Sequence, residues 1–146
     1  MAYKKILAAI DLTDETEDVV ARVKAVAEQN KAEVSLLTVV RPINQVYGGF
    51  DVAALSTDAA LIERDVVKQA EKHLEKYAEK LGIPAERTHL GHGTPSHEIK
   101  RRAEEMKVDL IIMGTHGRKG LGLLLGSTAS GVLHGSPCDV LTVRIK

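Results

Sequence analysis

The chain has 146 residues, 44% hydrophobic and 27% charged, which suits one ordinary globular domain that buries about two thirds of its unfolded surface without staples. Basic and acidic residues number 20 each, and aromatics are 3% with no tryptophan, so neither a net field nor stacking platforms point to nucleic acid. Cys138 is the single cysteine, which excludes an internal disulfide and gives no sign of an oxidising compartment.

The first residues, Met1-Ala2-Tyr3-Lys4-Lys5, lead straight into a strand-like run and lack the apolar stretch of a signal peptide. No segment approaches the roughly 20 apolar residues that cross a bilayer. The expectation is a cytoplasmic protein with no membrane insertion. Residues 6–10 (ILAAI) are apolar throughout, as in a strand covered on both faces. Thr13 or Asp14 is placed to cap the next helix, and Asp14, Glu15, Glu17 and Asp18 suit its positive end. Val19, Val20, Val23, Val26 and Ala27 recur on one helical face, which should end near Asn30. Residues 34–40 (VSLLTVV) form a second, β-branched strand.

Residues 41–57, with Pro42, Gly48 and Gly49, show no clear period and read as a long loop. A loop of that length, with two glycines and scattered apolar residues, suggests a segment that orders partly on ligand or partner binding. A long amphipathic helix then runs from Asp58 to Leu81. Val66, Ala70, Leu74, Tyr77 and Leu81 share one face, and the charges of residues 71–80 form a solvated one. Gly82 ends it. Residues 88–91 are a short strand, and Thr94-Pro95 has the form of a helix start, a capping hydroxyl before proline. That helix turns Ile99, Ala103 and Met106 inward. Residues 110–113 make the most apolar strand. A glycine-rich loop, a helix to about Leu133 and a last strand follow. Cys138 reads as a small residue buried at that strand's start.

Alternating strands and helices imply a parallel sheet with right-handed crossovers and helices on both faces. Ligands of such sheets sit beyond the carboxyl ends of the strands, where strand order reverses. Ala9, Ile10 and Asp11, Val39 and Val40, residues 89–93, and Gly114 onward occupy those ends. The last stretch, GTHGRKGLG through LLL to Gly126-Ser127-Thr128, removes Cβ atoms where backbone N–H groups must approach phosphate, and then opens a helix whose positive end suits an anion. Taken alone, Asp11 caps the first helix by default, with a metal beside phosphates as the alternative. His89, His92 and His97 lack a cysteine or second acidic cluster to complete a metal site, so they read as solvent-facing or hydrogen-bonded. His116 can touch phosphate or point to solvent. Gly120 and Gly122 follow the fourth strand rather than the first, which argues against a dinucleotide fingerprint, and no Walker-type loop is present. With no nucleophile elbow or paired carboxylates, no dedicated catalysis and no metal are expected.

These residues resemble those of the universal stress protein family. Gly114, Gly117 and Gly126-Ser127 are similar to the signature of its ATP-binding members, with eight intervening residues (118–125) in place of nine. The first strand through Asp11 resembles the subgroup that lacks the glycines. Residues 108–114 and 136–141 resemble the fourth and fifth strands of the family. The resemblance implies one domain over 1–146, Rossmann-like and of the adenine nucleotide alpha hydrolase type, with sheet order 3-2-1-4-5. It implies ATP or AMP as ligand, with or without Mg²⁺. Ala9, Ile10 and Asp11 would line adenine and ribose, and Val39 would present its backbone to the base. Met113 and Gly114 would pack at the sugar and first phosphate. Gly117, Gly126, Ser127 and Thr128 would hold the phosphates, with His116 and Arg118 beside them. It also implies a regulatory, non-enzymatic homodimer joined through Val140 to Ile145, probed by Val143→Pro, with a further protein partner unidentified. The alternatives are a nucleotide-free member acting by partner contact and a slow ATPase.

Overall fold

The strand runs are apolar on consecutive positions because each central strand is covered twice. The computed structural model describes residues 2–13, 15–41, 56–115 and 126–144. In chain order the elements are β1 (Lys5–Ala9), α1 (Thr16–Asn30), β2 (Glu33–Val40), α2 (Ser56–Leu81), a 3₁₀ turn (Ala85–Arg87), β3 (Thr88–His92), α3 (Pro95–Glu105), β4 (Leu110–Gly114), α4 (Ser127–Leu133) and β5 (Asp139–Val143). They form one sheet of order β3-β2-β1-β4-β5, parallel at every pair, as the alternation predicts. The long loop's residues 42–55, and Ile145 of the expected last strand, lie outside the described residues.

Side chains alternate across each strand, and the alternation sorts the core into two layers. Ile6, Ala8 and Ile10 join Leu36, Leu110 and Ile112 beneath Val19, Val20 and Val23 of α1 and Leu74 and Tyr77 of α2. Leu7, Leu37, Ile111 and Met113 face the other way, against Ile99 and Ala103 of α3 and Ala129 and Val132 of α4. Right-handed crossovers explain which helix lies where. The chain moves outward from β1 to β2 to β3 and lays α1 and α2 on one face. It then returns past β1 and moves the opposite way through β4 and β5, which puts α3 and α4 on the other face. Gly131 of α4 lets that helix seat closely on α3, since a Cβ there would stand 2.7 Å from the Ser96 Cβ.

Asp109 levels the two central strands at their amino ends, its carboxylate accepting from the N–H groups of Lys4 at 2.9 Å and Lys5 at 3.0 Å. The 71–80 charges are exposed as expected. Two of them cross to α1: Lys80 and Lys76 reach Glu17 at 3.0 and 3.7 Å, over the Tyr77 ring whose hydroxyl donates to Glu17 at 2.9 Å. The Lys80 hydrogen bond, with that of Tyr77, holds the Glu17 carboxyl below the usual carboxylate range.

The two expected hydroxyl caps do not form. Glu15 occupies the N-cap position of α1 with no side-chain cap bond, because Thr13 is turned back toward Asp11; Asp14 lies outside the described residues. Thr94 precedes α3 with extended backbone but also makes no cap bond. It is exposed, so water can satisfy the N–H groups that a cap would serve; Pro95 leaves one fewer unpaired N–H at this end. The carboxyl ends follow expectation more closely. Gly82 stands at φ +67° after α2. Lys31 takes the same left-handed place after α1, at φ 54°, where a side chain is disfavoured. Lys31→Gly is therefore expected to stabilise the protein by about 1 kcal/mol, read as a higher urea midpoint at unchanged slope. A lower midpoint would mean that contacts of the Lys31 side chain outweigh the backbone strain.

Candidate functional site

Strand order reverses between β1 and β4, and the backbones leave the sheet there in opposite directions. The Ile10 N–H donates to the Leu37 carbonyl of β2 at 2.9 Å, while the Thr115 N–H donates to the Val143 carbonyl of β5 at 3.0 Å. Neighbouring strands whose ends bond away from each other cannot stay paired. The gap is a small depression, open to solvent and lined by Ala9, Ile10, Asp11, Glu15, Thr16, Val19 and Gly114.

Asp11 organises its floor. Its Oδ1 accepts from the Thr13 N–H at 3.1 Å and the Thr13 hydroxyl at 2.6 Å, an Asx turn. This corrects the capping role expected of Asp11: it folds the loop ahead of α1, and Glu15 starts the helix. The Thr16 hydroxyl, 1% exposed, reaches the Asp11 carbonyl at 2.8 Å and Oδ1 at 3.2 Å. With its hydrogen committed there, it accepts from Nε2 of His73 at 3.2 Å. His73 also meets Tyr77 edge to face at 4.8 Å. Burial lowers its pKa, against an opposing pull from the Asp11 backbone and carboxylate.

Sequence reading does not single out His73, which sits inside a charged run. The available signal is its spacing, four residues before Tyr77 and next to Leu74 on the covered side of α2. Glu15 is legible only as an acidic residue at a helix start. In the structure its Oε2 is buried and has no hydrogen-bond partner among the described residues.

Of the residues expected at the site, Ala9, Ile10, Asp11 and Gly114 converge on the depression. Val39 and Met113 do not line it, because their side chains pack in the layer under α3 and α4. Gly126 is joined to the β4 end, its N–H donating to the Thr115 carbonyl at 2.7 Å, so that donor is already engaged. Ser127 is exposed and Thr128 partly so at the start of α4. His116, Gly117, Arg118 and the rest of residues 116–125 lie outside the described residues.

His92 and His97 are exposed. His89 is half-buried, and burial, with Arg102 nearby, lowers its pKa. No group of three His, Cys, Asp or Glu side chains among the described residues can hold a metal. Cys138 is only partly buried, against the layer under α3 and α4, and burial raises its thiol pKa. Among the described residues no helix is long and apolar enough to cross a membrane.

This architecture, a doubly wound parallel sheet with its crevice at the reversal of strand order, defines a Rossmann-like α/β protein. The chain belongs to the universal stress protein family, whose model matches residues 2–144. It is 37% identical over 146 residues to universal stress protein A homolog 1 of Coxiella burnetii (strain RSA 493 / Nine Mile phase I), covering 100% of this chain and 99% of that one. Its fold is similar to that of universal stress protein UspA from Lactobacillus plantarum, with a TM-score of 0.83 at 22% identity over 99% of each chain. It is also similar to a universal stress protein in complex with cAMP, with a TM-score of 0.62 at 24% identity over 99% of this chain and 98% of that one.

The two lowered histidines give the fold a pH signature. Unfolded histidine takes up its proton near pH 6.5, and folded His73 and His89 do so lower, so below that value the unfolded state holds more protons and stability falls. The depressed carboxylates Glu17 and Glu98 lose their contribution only below about 4.5. Melting temperature is therefore expected to decline from about pH 7 to pH 5, and His73→Gln should flatten the decline. An unchanged slope in that variant would remove His73 from the account.

Proposed function

We propose that this protein is a stress-response regulatory protein that binds an adenine nucleotide, ATP or AMP, in the crevice between β1 and β4. It works in the cytoplasm as a homodimer that presents its nucleotide state to a further protein. The observation that carries this reading is the divergence of the Ile10 and Thr115 amides, which opens the sheet where Ala9, Asp11 and Gly114 meet. Family membership supports it, as does the cAMP complex of a protein of similar fold.

In this reading Ala9, Ile10 and Asp11 line adenine and ribose, and the Val39 backbone meets the base. Gly114, backed by Met113, faces the sugar and first phosphate. The phosphates run toward Gly117, Gly126, Ser127 and Thr128, with charge from Arg118 and a donor from His116. Mg²⁺ would travel on the phosphate oxygens. The role is regulatory rather than enzymatic: the Thr16–His73 pair joins a hydroxyl to an imidazole, but Thr16 is buried and its hydrogen is held by Asp11, which makes the pair structural.

A second reading, a nucleotide-free member acting by partner contact, is favoured by the engagement of the Gly126 N–H with Thr115. Calorimetric titration separates the two. ATP with Mg²⁺ should bind, and Asp11→Ala should weaken it by roughly tenfold or more, the scale of one hydrogen bond to a charged group. No heat and no thermal shift at millimolar ATP would leave the second reading.

The homodimer rests on the open edge of β5, where Val140, Leu141 and Thr142 are half-exposed and unpaired backbone invites another strand. Because the Val143 carbonyl accepts from Thr115, Val143 faces β4, and a proline there would break the sheet itself. Thr142 faces outward. Wild-type protein should sediment as a dimer at micromolar concentration and Thr142→Pro as a monomer. A monomeric wild type would end the dimer proposal.

A further inference from the structure

We infer that Glu15 is a specificity-determining residue of the crevice, reading a ribose hydroxyl of the bound nucleotide. The inference rests on the nucleotide reading above and adds to it which part of the ligand is recognised, and by what.

The lining of the depression has an unusual balance of polar groups. Among the described residues it holds two carboxylates, Asp11 and Glu15, and no lysine or arginine. Ionised carboxylates only accept hydrogen bonds. The Asp11 Oδ1 has three donors within 3.2 Å, from Thr13 and Thr16, and is committed to the turn. Glu15 differs: its Oε2 is buried yet has no partner among the described residues. An acceptor withdrawn from water and left unpaired carries an uncompensated desolvation penalty. A donor brought by a ligand would remove that penalty, and an anion would add to it. The ligand group that meets Glu15 is therefore a donor and not a phosphate.

Position selects the donor. Glu15 and Gly114 line the same depression, and the sugar of the proposed nucleotide lies at Gly114, with the phosphates leading away toward α4. A ribose brings two adjacent hydroxyls to that place. Glu15 is also held firmly enough to discriminate. It sits at the N-cap of α1, its carbonyl accepting from the Asp18 N–H at 3.2 Å, and its neighbour Thr16 is buried and tied to Asp11. A fixed acceptor rejects an analogue lacking the hydroxyl because its own group is then left unpaired.

The test compares the affinities of ATP, 2′-deoxy-ATP and 3′-deoxy-ATP for wild-type protein, Glu15→Ala and Glu15→Gln by calorimetry. Wild type should bind one deoxy analogue roughly ten- to a hundredfold more weakly than ATP. Glu15→Ala should bring ATP down to the level of that analogue while leaving the analogue's own affinity unchanged. Glu15→Gln, which keeps one acceptor oxygen, should fall between. Equal wild-type affinities for all three nucleotides would overturn the inference without any variant. So would an alanine variant that weakens all three by one common factor. Protein that binds none of them fails the nucleotide reading first, and this inference with it.

Discussion

The structure depends on the double coverage of β1 and β4. Each gives alternate side chains to opposite layers, Ile6 and Ala8 to one and Leu7 to the other, so neither can lie at an edge or face water. Helices must then cover both faces. With right-handed crossovers that is possible only if the chain winds outward in both directions from the middle. The seam where the directions part is the boundary between β1 and β4. The crevice follows from the way the core is covered rather than from any residue placed to make it.

The seam is then held open by ordinary backbone bonding. Ile10 and Thr115 each extend their ladders toward their outer neighbours, and Asp109 keeps the opposite ends of the two strands level. Strands clamped at one end and divergent at the other make a wedge. Gly114 lines it on the β4 side. The bond from Gly126 to Thr115 returns the chain to the same wedge, so α4 starts beside the β4 exit.

The turn after β1 shows a division of labour between neighbouring acidic groups. Asp11 is occupied with folding the loop, through Thr13 and Thr16, and His73 extends that network to α2. Through Tyr77 the same helix reaches Glu17 of α1, so the two helices on this face share one polar path from site to surface. Glu15 stands outside the path with an oxygen that has no partner among the described residues. Among the described residues no other buried side-chain polar atom is left unpaired, and such an exception is tolerated most readily where a ligand completes it.

Much of this was legible in the residues themselves. Runs such as residues 6–10 and 110–113 are apolar without alternation, which only strands covered twice require. The period of Ala70, Leu74 and Tyr77 shows the covered side of α2, and Gly82 shows its end. Ala9, Asp11 and Gly114 could be placed at strand ends, and so at the crevice, by the rule for doubly wound sheets. Three matters were settled only by the fold. Thr13 and Thr94 look like caps because capping is a local propensity, but Thr13 is claimed by Asp11 and Thr94 is exposed without a cap bond. Val39 and Met113 sit at the right strand ends, yet the pleat turns their side chains to the layer under α3 and α4. His73 reaches the site only because α2 crosses over the turn after β1, a contact between residues 57 positions apart, and nothing in the neighbours of Glu15 along the chain signals its buried oxygen. Periodicity and capping signals report a residue's neighbours along the chain, whereas partners brought across that distance exist only once the sheet and its helices have closed.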